Sequence, residues 1–186
     1  MKELSLNILD VTKNSVTAGA DTIRVTLNTD SDGWLTLLVE DNGCGMSEEV
    51  QRRVTDPFYT TRTTRKVGMG LPLLKLAAEQ TGGTMTIMSS TEKGNSGTTL
   101  TATFDTTSID FMPVGDMVST ICVLISGSPE IHFVFKDKTP RGTVLLDTSE
   151  LIEVLGEGIS LAEPEVMEWI RSYLAEQYEE RDRSLR

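Results

Sequence analysis

The chain has 186 residues, of which 38% are apolar and 24% charged, with only two cysteines; this is ordinary for a globular domain and excludes a disulfide scaffold. No apolar run approaches the about 20 residues of a membrane helix, and the amino terminus carries no secretory signal. A formal net charge of −11, from 17 Lys/Arg against 28 Asp/Glu, repels nucleic-acid phosphates and sets DNA and RNA aside as partners.

Residues 3–19 read as a helix, with Leu4, Ile8, Val11, Ser15 and Ala18 on one stripe. Asp10 and Asn14 lie beside that stripe, one turn apart. Residues 22–28 alternate as a half-buried strand, Ser31-Asp-Gly33 makes a turn, and 34–40 form the second strand of a hairpin. The chain then enters Asp41-Asn-Gly-Cys-Gly-Met46. Ser47 followed by Glu48 and Glu49 marks a helix start. The Thr- and Arg-rich stretch 56–66 lacks periodicity and reads as a loop. Gly68-Met-Gly-Leu71 leads into a helix over 71–81, with Pro72 in its tolerated first turn and Gly82-Gly83 at its end. Strands over 84–90 and 98–105 flank a turn at 94–97.

Beyond residue 105 the texture changes. A helix is expected over 114–126, a hairpin over 131–136 and 142–147, and a short helix over 149–155 capped by Asp147. Pro164 opens a last helix, with Val166, Met167, Ile170, Tyr173 and Leu174 as its apolar face. The charged tail 179–186 reads as frayed. Residues 1–105 carry 10 basic against 13 acidic groups, and residues 106–186 carry 7 against 15. The division is therefore an amino-terminal domain over 1–105 and an acidic α/β extension over 106–186, suited to docking on a basic surface.

The glycine blocks carry the chemistry. A carboxylate at a strand end, Asp41, followed by Gly43 and Gly45, offers an acceptor for an adenine amino group beside backbone that can come close to a ligand. Gly68 and Gly70 before a helix offer N–H groups and a positive dipole end to phosphate. Asn14 supplies an oxygen suited to Mg²⁺. Neither the Gly-x4-Gly-Lys-[Ser/Thr] nor the Gly-x-Gly-x-x-Gly signature is present.

In this order and spacing the blocks resemble the GHKL superfamily, which includes gyrase, ninety-kilodalton heat-shock chaperones, histidine kinases and MutL proteins. Asp10-Val-Thr-Lys-Asn14-Ser-Val-Thr-Ala18 resembles the N box, with Asn14 as the magnesium ligand. Asp41 to Met46 resembles the G1 box, with Asp41 on adenine. Asp56-Pro-Phe-Tyr-Thr-Thr-Arg62 resembles the F box that begins the ATP lid, Gly68 to Leu71 the G2 box, and Gly97-Thr98 the block before the last strand. The resemblance covers residues 1–105 and leans toward the histidine-kinase branch. It implies a two-layer α/β sandwich of the Bergerat type, with a mixed sheet covered by helices on one face. It also implies ATP and Mg²⁺ held by Asn14, Asp41, Gly43, Gly45, Met46, Phe58, Thr60, Thr61, Arg62, Lys66, Gly68, Met69, Gly70, Leu71 and Thr98.

Two departures bear on activity. Gyrase and MutL branches place Glu four residues before the asparagine to orient the attacking water. Here the candidate base is Asp10, one methylene shorter. Histidine kinases carry a phospho-accepting His on a dimerisation helix, whereas this chain has one histidine, His132, on a strand. The expected function is phosphoryl transfer from Mg-ATP to a partner protein in the cytoplasm. A non-catalytic ATP sensor is the alternative, and a gyrase-like clamp ranks below both.

Overall fold

The computed structural model describes residues 3–56, 69–156 and 158–183. Its strands are β1 (Thr22–Thr29), β2 (Trp34–Asp41), β3 (Met85–Ser90), β4 (Gly97–Asp105), β5 (His132–Thr139) and β6 (Gly142–Asp147). The helices are α1 (Leu4–Thr17), α2 (Glu48–Arg53), α3 (Gly70–Gln80), α4 (Met117–Gly127), α5 (Thr148–Leu155) and α6 (Pro164–Arg183).

Side-chain alternation fixes the architecture. Ile23, Val25 and Leu27 of β1 lie in register with Val39 and Leu37 of β2 and with Phe133 and Phe135 of β5. Leu100, Ala102 and Phe104 continue the same layer on β4, and Val144 and Leu146 on β6. All of these are buried. The intervening positions, including Arg24, Lys136 and Lys138, face solvent. The result is one six-stranded mixed sheet, in the order β3-β4-β2-β1-β5-β6, with a single apolar face. β1 and β5 are parallel; every other pair is antiparallel.

Helices α1, α3, α4 and α6 contribute Leu4, Ile8, Leu74, Ala78, Ile121, Ile125, Ile170 and Leu174 to the same core. Burying each large side chain contributes about 1.5–3 kcal/mol. The mixed sheet and its helical layer are as expected. The segment beyond residue 105 extends both: β5 adds beside β1, and α4 packs on α1. It also completes α1. Glu3 provides no side-chain cap, and the first amides of the helix, Leu4 and Ser5, donate instead to the Pro113 and Val114 carbonyls, at 2.9 and 2.8 Å.

Several expectations shift in detail. α4 starts at Met117, not 114, because Asp116 caps it by accepting from the Ser119 amide at 2.8 Å. β5 runs to Thr139, three residues past the expected end. Tyr173 points outward and stacks on Trp169, while Val166, Ile170 and Leu174 face the core. Within the expected frayed tail, α6 continues to Arg183 because Arg181 is anchored on Asp137. The outer edge of the sheet is covered by one side chain: Gln177 donates to the Leu145 carbonyl and accepts from its amide, both at 2.9 Å, as a neighbouring strand would.

Candidate functional site

At the end of the sheet where β2 stops, the turn 42–46 is clamped from three directions. Asn42 accepts from the Asp21 and Thr22 amides at 3.1 and 3.0 Å and donates to the Asp21 carboxylate at 2.6 Å. The Cys44 amide donates to the Ala18 carbonyl at the end of α1, at 2.9 Å. The Met46 amide donates to Ser89 Oγ at 2.8 Å, and Ser89 in turn hydrogen-bonds the Gly97 carbonyl and Thr98 Oγ1, each at 2.8 Å. Gln51 reinforces this junction by donating to the carbonyls of Met46 and Ser89, at 3.2 and 2.7 Å.

Asp41 lies on the helix-covered face, opposite Thr98 on β4. Its Oδ2 accepts from Ser15 Oγ at 2.6 Å and its Oδ1 from the Gly43 amide at 3.0 Å. These bonds fix the carboxylate while leaving each oxygen a further lone pair for a ligand donor. Asn14 precedes Ser15 and is half-buried. Asp10 sits one turn earlier, against the start of α3: a Cβ added to Gly70 would lie 3.3 Å from Asp10 Cβ. Met69 supplies no side-chain cap to α3, and the first turn holds no acid. The amides of Gly70 and Leu71 therefore begin a helix suited to an anion.

The glycines serve a purpose that spacing did not show. Gly45 has φ +69°, and a Cβ there would run into the Ser90 carbonyl. Gly97 has φ +147°, and its Cβ would collide with the Asp41 carbonyl. Both let backbones of this chain touch one another, so the two blocks are glycine-bearing because each packs on a neighbouring segment.

The structure thus brings Asp10, Asn14, Asp41, Gly43, Gly45, Met46, Met69, Gly70, Leu71 and Thr98 to one end of the sheet. Phe58, Thr60, Thr61, Arg62, Lys66 and Gly68 lie outside the described residues. Arg52 and Arg53 pair along α2 with Glu48 and Glu49, at 3.1 and 3.9 Å, and are exposed. Ser15, Ser89 and Gln51 are site residues that sequence reasoning missed. Ser15 left a signal: a hydroxyl on the buried stripe of α1, next to Asn14. His132 is on the solvent face of the sheet, bonded through Nε2 to Asp147 Oδ1 at 2.7 Å. Burial pushes the Asp147 carboxyl up, but hydrogen bonds from Ser149 and His132 outweigh it and hold the group below the usual carboxylate range.

Residues 1–108 match the family described as histidine kinase-, DNA gyrase B-, and HSP90-like ATPase. Among curated proteins, the chain is 36% identical over 73 residues to the signal transduction histidine-protein kinase AtoS of Escherichia coli K12, covering 39% of this chain and 12% of that one. It is 36% identical over 98 residues to the heme sensor protein HssS of Staphylococcus saprophyticus, covering 52% and 20%. The chain therefore spans a fifth or less of these relatives' length. Among solved structures, the N-terminal domain of a DNA repair protein superposes with a TM-score of 0.59 at 17% identity, covering 85% of this chain and 58% of that one. The Aquifex aeolicus MutL ATPase domain complexed with ADP gives 0.52 at 16% identity, covering 83% and 69%. These shares are too large to fit within residues 1–108, so the shared fold includes part of the carboxy-terminal segment. The family match describes an ATP-binding domain.

Proposed function

We propose that this chain, which belongs to the histidine kinase-, DNA gyrase B-, and HSP90-like ATPase family, holds Mg-ATP at the Asp41 end of the sheet and passes its terminal phosphate to a partner protein. The carrying observation is that α1 delivers Ser15 to Asp41 and Asp10 to Gly70, with Asn14 between. Five residues of helix rise about 7.5 Å, so one rigid element lines the path from an adenine on Asp41 to phosphates at the start of α3. An acid beside that helix start repels phosphate unless a cation intervenes. In this reading Asn14 would hold a magnesium ion, which would neutralise phosphate charge when bound.

Asp41 fixes the base, the α3 amides hold phosphate, and Asp10 orients the acceptor hydroxyl or a water. The acceptor in this reading is a Ser/Thr or His of a partner protein; His132 is bonded to Asp147 on the opposite face of the sheet. The reading sets this work in the cytoplasm, where ATP is available. A second reading, ATP-dependent switching without transfer, is favoured by the short reach of Asp10.

Asn14→Ala should abolish Mg-ATP binding measured by calorimetry while the fold persists. Incubation of the full chain with γ-labelled ATP and cell extract separates the readings. A labelled partner protein supports transfer, whereas binding with neither label nor phosphate release selects the switch. Failure of the folded wild-type chain to bind any adenine nucleotide with magnesium refutes both.

A further inference from the structure

The opposite end of the sheet holds an open pocket of about 310 Å³ with no role in the nucleotide site. Leu27, Leu35, Met117 and Val118 give it apolar walls, and Asp137 and Arg181 bring charge to it. Asp137 occupies a position on the buried face of β5 where alternation calls for an apolar residue, and its side chain is only 9% exposed. Its Oδ2 accepts from Tyr178 Oη at 3.0 Å and from Arg181 Nη1 at 2.9 Å. Its Oδ1 accepts no hydrogen bond among the described residues. This oxygen opens on the pocket and keeps its lone pairs for a donor that enters there.

The charge balance sets the sign of that donor. Arg181 is committed elsewhere: it serves Asp137, donates from Nε to Asp182 at 3.3 Å, and lies 4.7 Å over the Tyr178 ring. Burial disfavours its charge, but Asp137 more than compensates and raises its pKa. Tyr178 is held protonated by burial and by Asp137, so it supplies no negative charge. Asp116, exposed at the rim, spends Oδ1 on the α4 cap. Two carboxylates face one guanidinium, leaving the lining at −1. An anion would meet a lining already at −1, whereas a cation would neutralise it.

We propose that this pocket binds a small organic cation, a protonated primary amine on a compact apolar body. The ammonium donates to Asp137 Oδ1, and the body rests on Leu27, Leu35, Met117 and Val118. The site is distinct from the nucleotide site, which lies at the other end of β1 and β2.

Calorimetric titration of the full chain with phenethylammonium, and with 3-phenylpropionate as an anion of similar shape, tests this. The cation should bind at least about tenfold more tightly, the difference a hydrogen bond to a charged group supplies. Asp137→Asn should weaken the cation about tenfold. Because that change also touches Arg181, Val118→Phe provides a second variant that fills the pocket without disturbing the charged network, and it should remove binding while circular dichroism stays native. The proposal is overturned if the folded wild-type chain binds no ammonium probe at millimolar concentration. It is also overturned if the anion binds as tightly as the cation, or if binding survives Val118→Phe.

Discussion

The two ends of this sheet solve opposite problems. At the Asp41 end, the polar side chains are held by hydroxyls and backbone amides, and the acids Asp10 and Asp41 stay accessible beside them. At the Asp137 end, a carboxylate, a guanidinium and a phenol are drawn into the core and satisfy one another across 41 and 44 positions of chain. The first arrangement leaves chemistry available for a ligand. The second ties β5 to α6 and so fastens the carboxy-terminal segment to the sheet. The sheet that carries the Asp41 end is thus continued by a segment that lies outside the matched region 1–108.

The comparison breaks most directly by truncation. A fragment of residues 1–108 loses β5 from the side of β1, α4 from α1, and the carbonyls that receive the first α1 amides. That loss should exceed the about 5–15 kcal/mol by which a domain is stable, so the fragment should show no cooperative thermal transition. A native-like melt with ATP binding would show the two ends to be independent. Gly45→Ala sharpens the contrast with a smaller effect. Its φ costs about 1–2 kcal/mol in a non-glycine residue, and the Ser90 carbonyl stands in the way. The variant should fold, melt a few degrees lower and lose ATP affinity in calorimetry, while phenethylammonium titrates as in the wild type.

The smallest effect concerns Asp147, which caps α5 by accepting from the Ser149 amide at 2.9 Å. Its folded pKa is depressed, so its contribution is full above the unfolded carboxylate range near pH 4 and disappears as pH falls through the lower folded value. Asp147→Ala should cost about 1 kcal/mol at neutral pH. In urea titrations the gap between wild type and variant should close below pH 4; a gap constant down to pH 2 would remove this residue from the acid response.

Much of the nucleotide end was legible because its features are local. Asp10 and Asn14 share a helix face, and the glycine turns follow strand ends directly. Ser15 fell on the stripe and within the N-box stretch but was given no role, because periodicity records burial and not the hydrogen bond to Asp41 on a strand 26 positions away. The glycines were legible as turns, but their collision partners, Ser90 and Asp41, appear only when β2, β3 and β4 are side by side. The Asp137 network left no motif: it needs β5 to run past Lys136 and α6 to continue through the charged run that reads as a tail. Continuity of the sheet beyond residue 105 was likewise hidden, since parallel pairing of β1 with β5 joins segments 110 positions apart.

The capping of α1 sets an order of events during synthesis. The amides of Leu4 and Ser5 find their acceptors 109 positions downstream, so the first helix waits for translation to deliver its cap, roughly 5–20 s later at ordinary elongation rates. In that interval the nascent chain carries Asp10, Asn14 and Ser15 on an unfinished helix. The helix that carries the proposed ATP site is therefore complete only after the loop at 113–114 has cleared the ribosome.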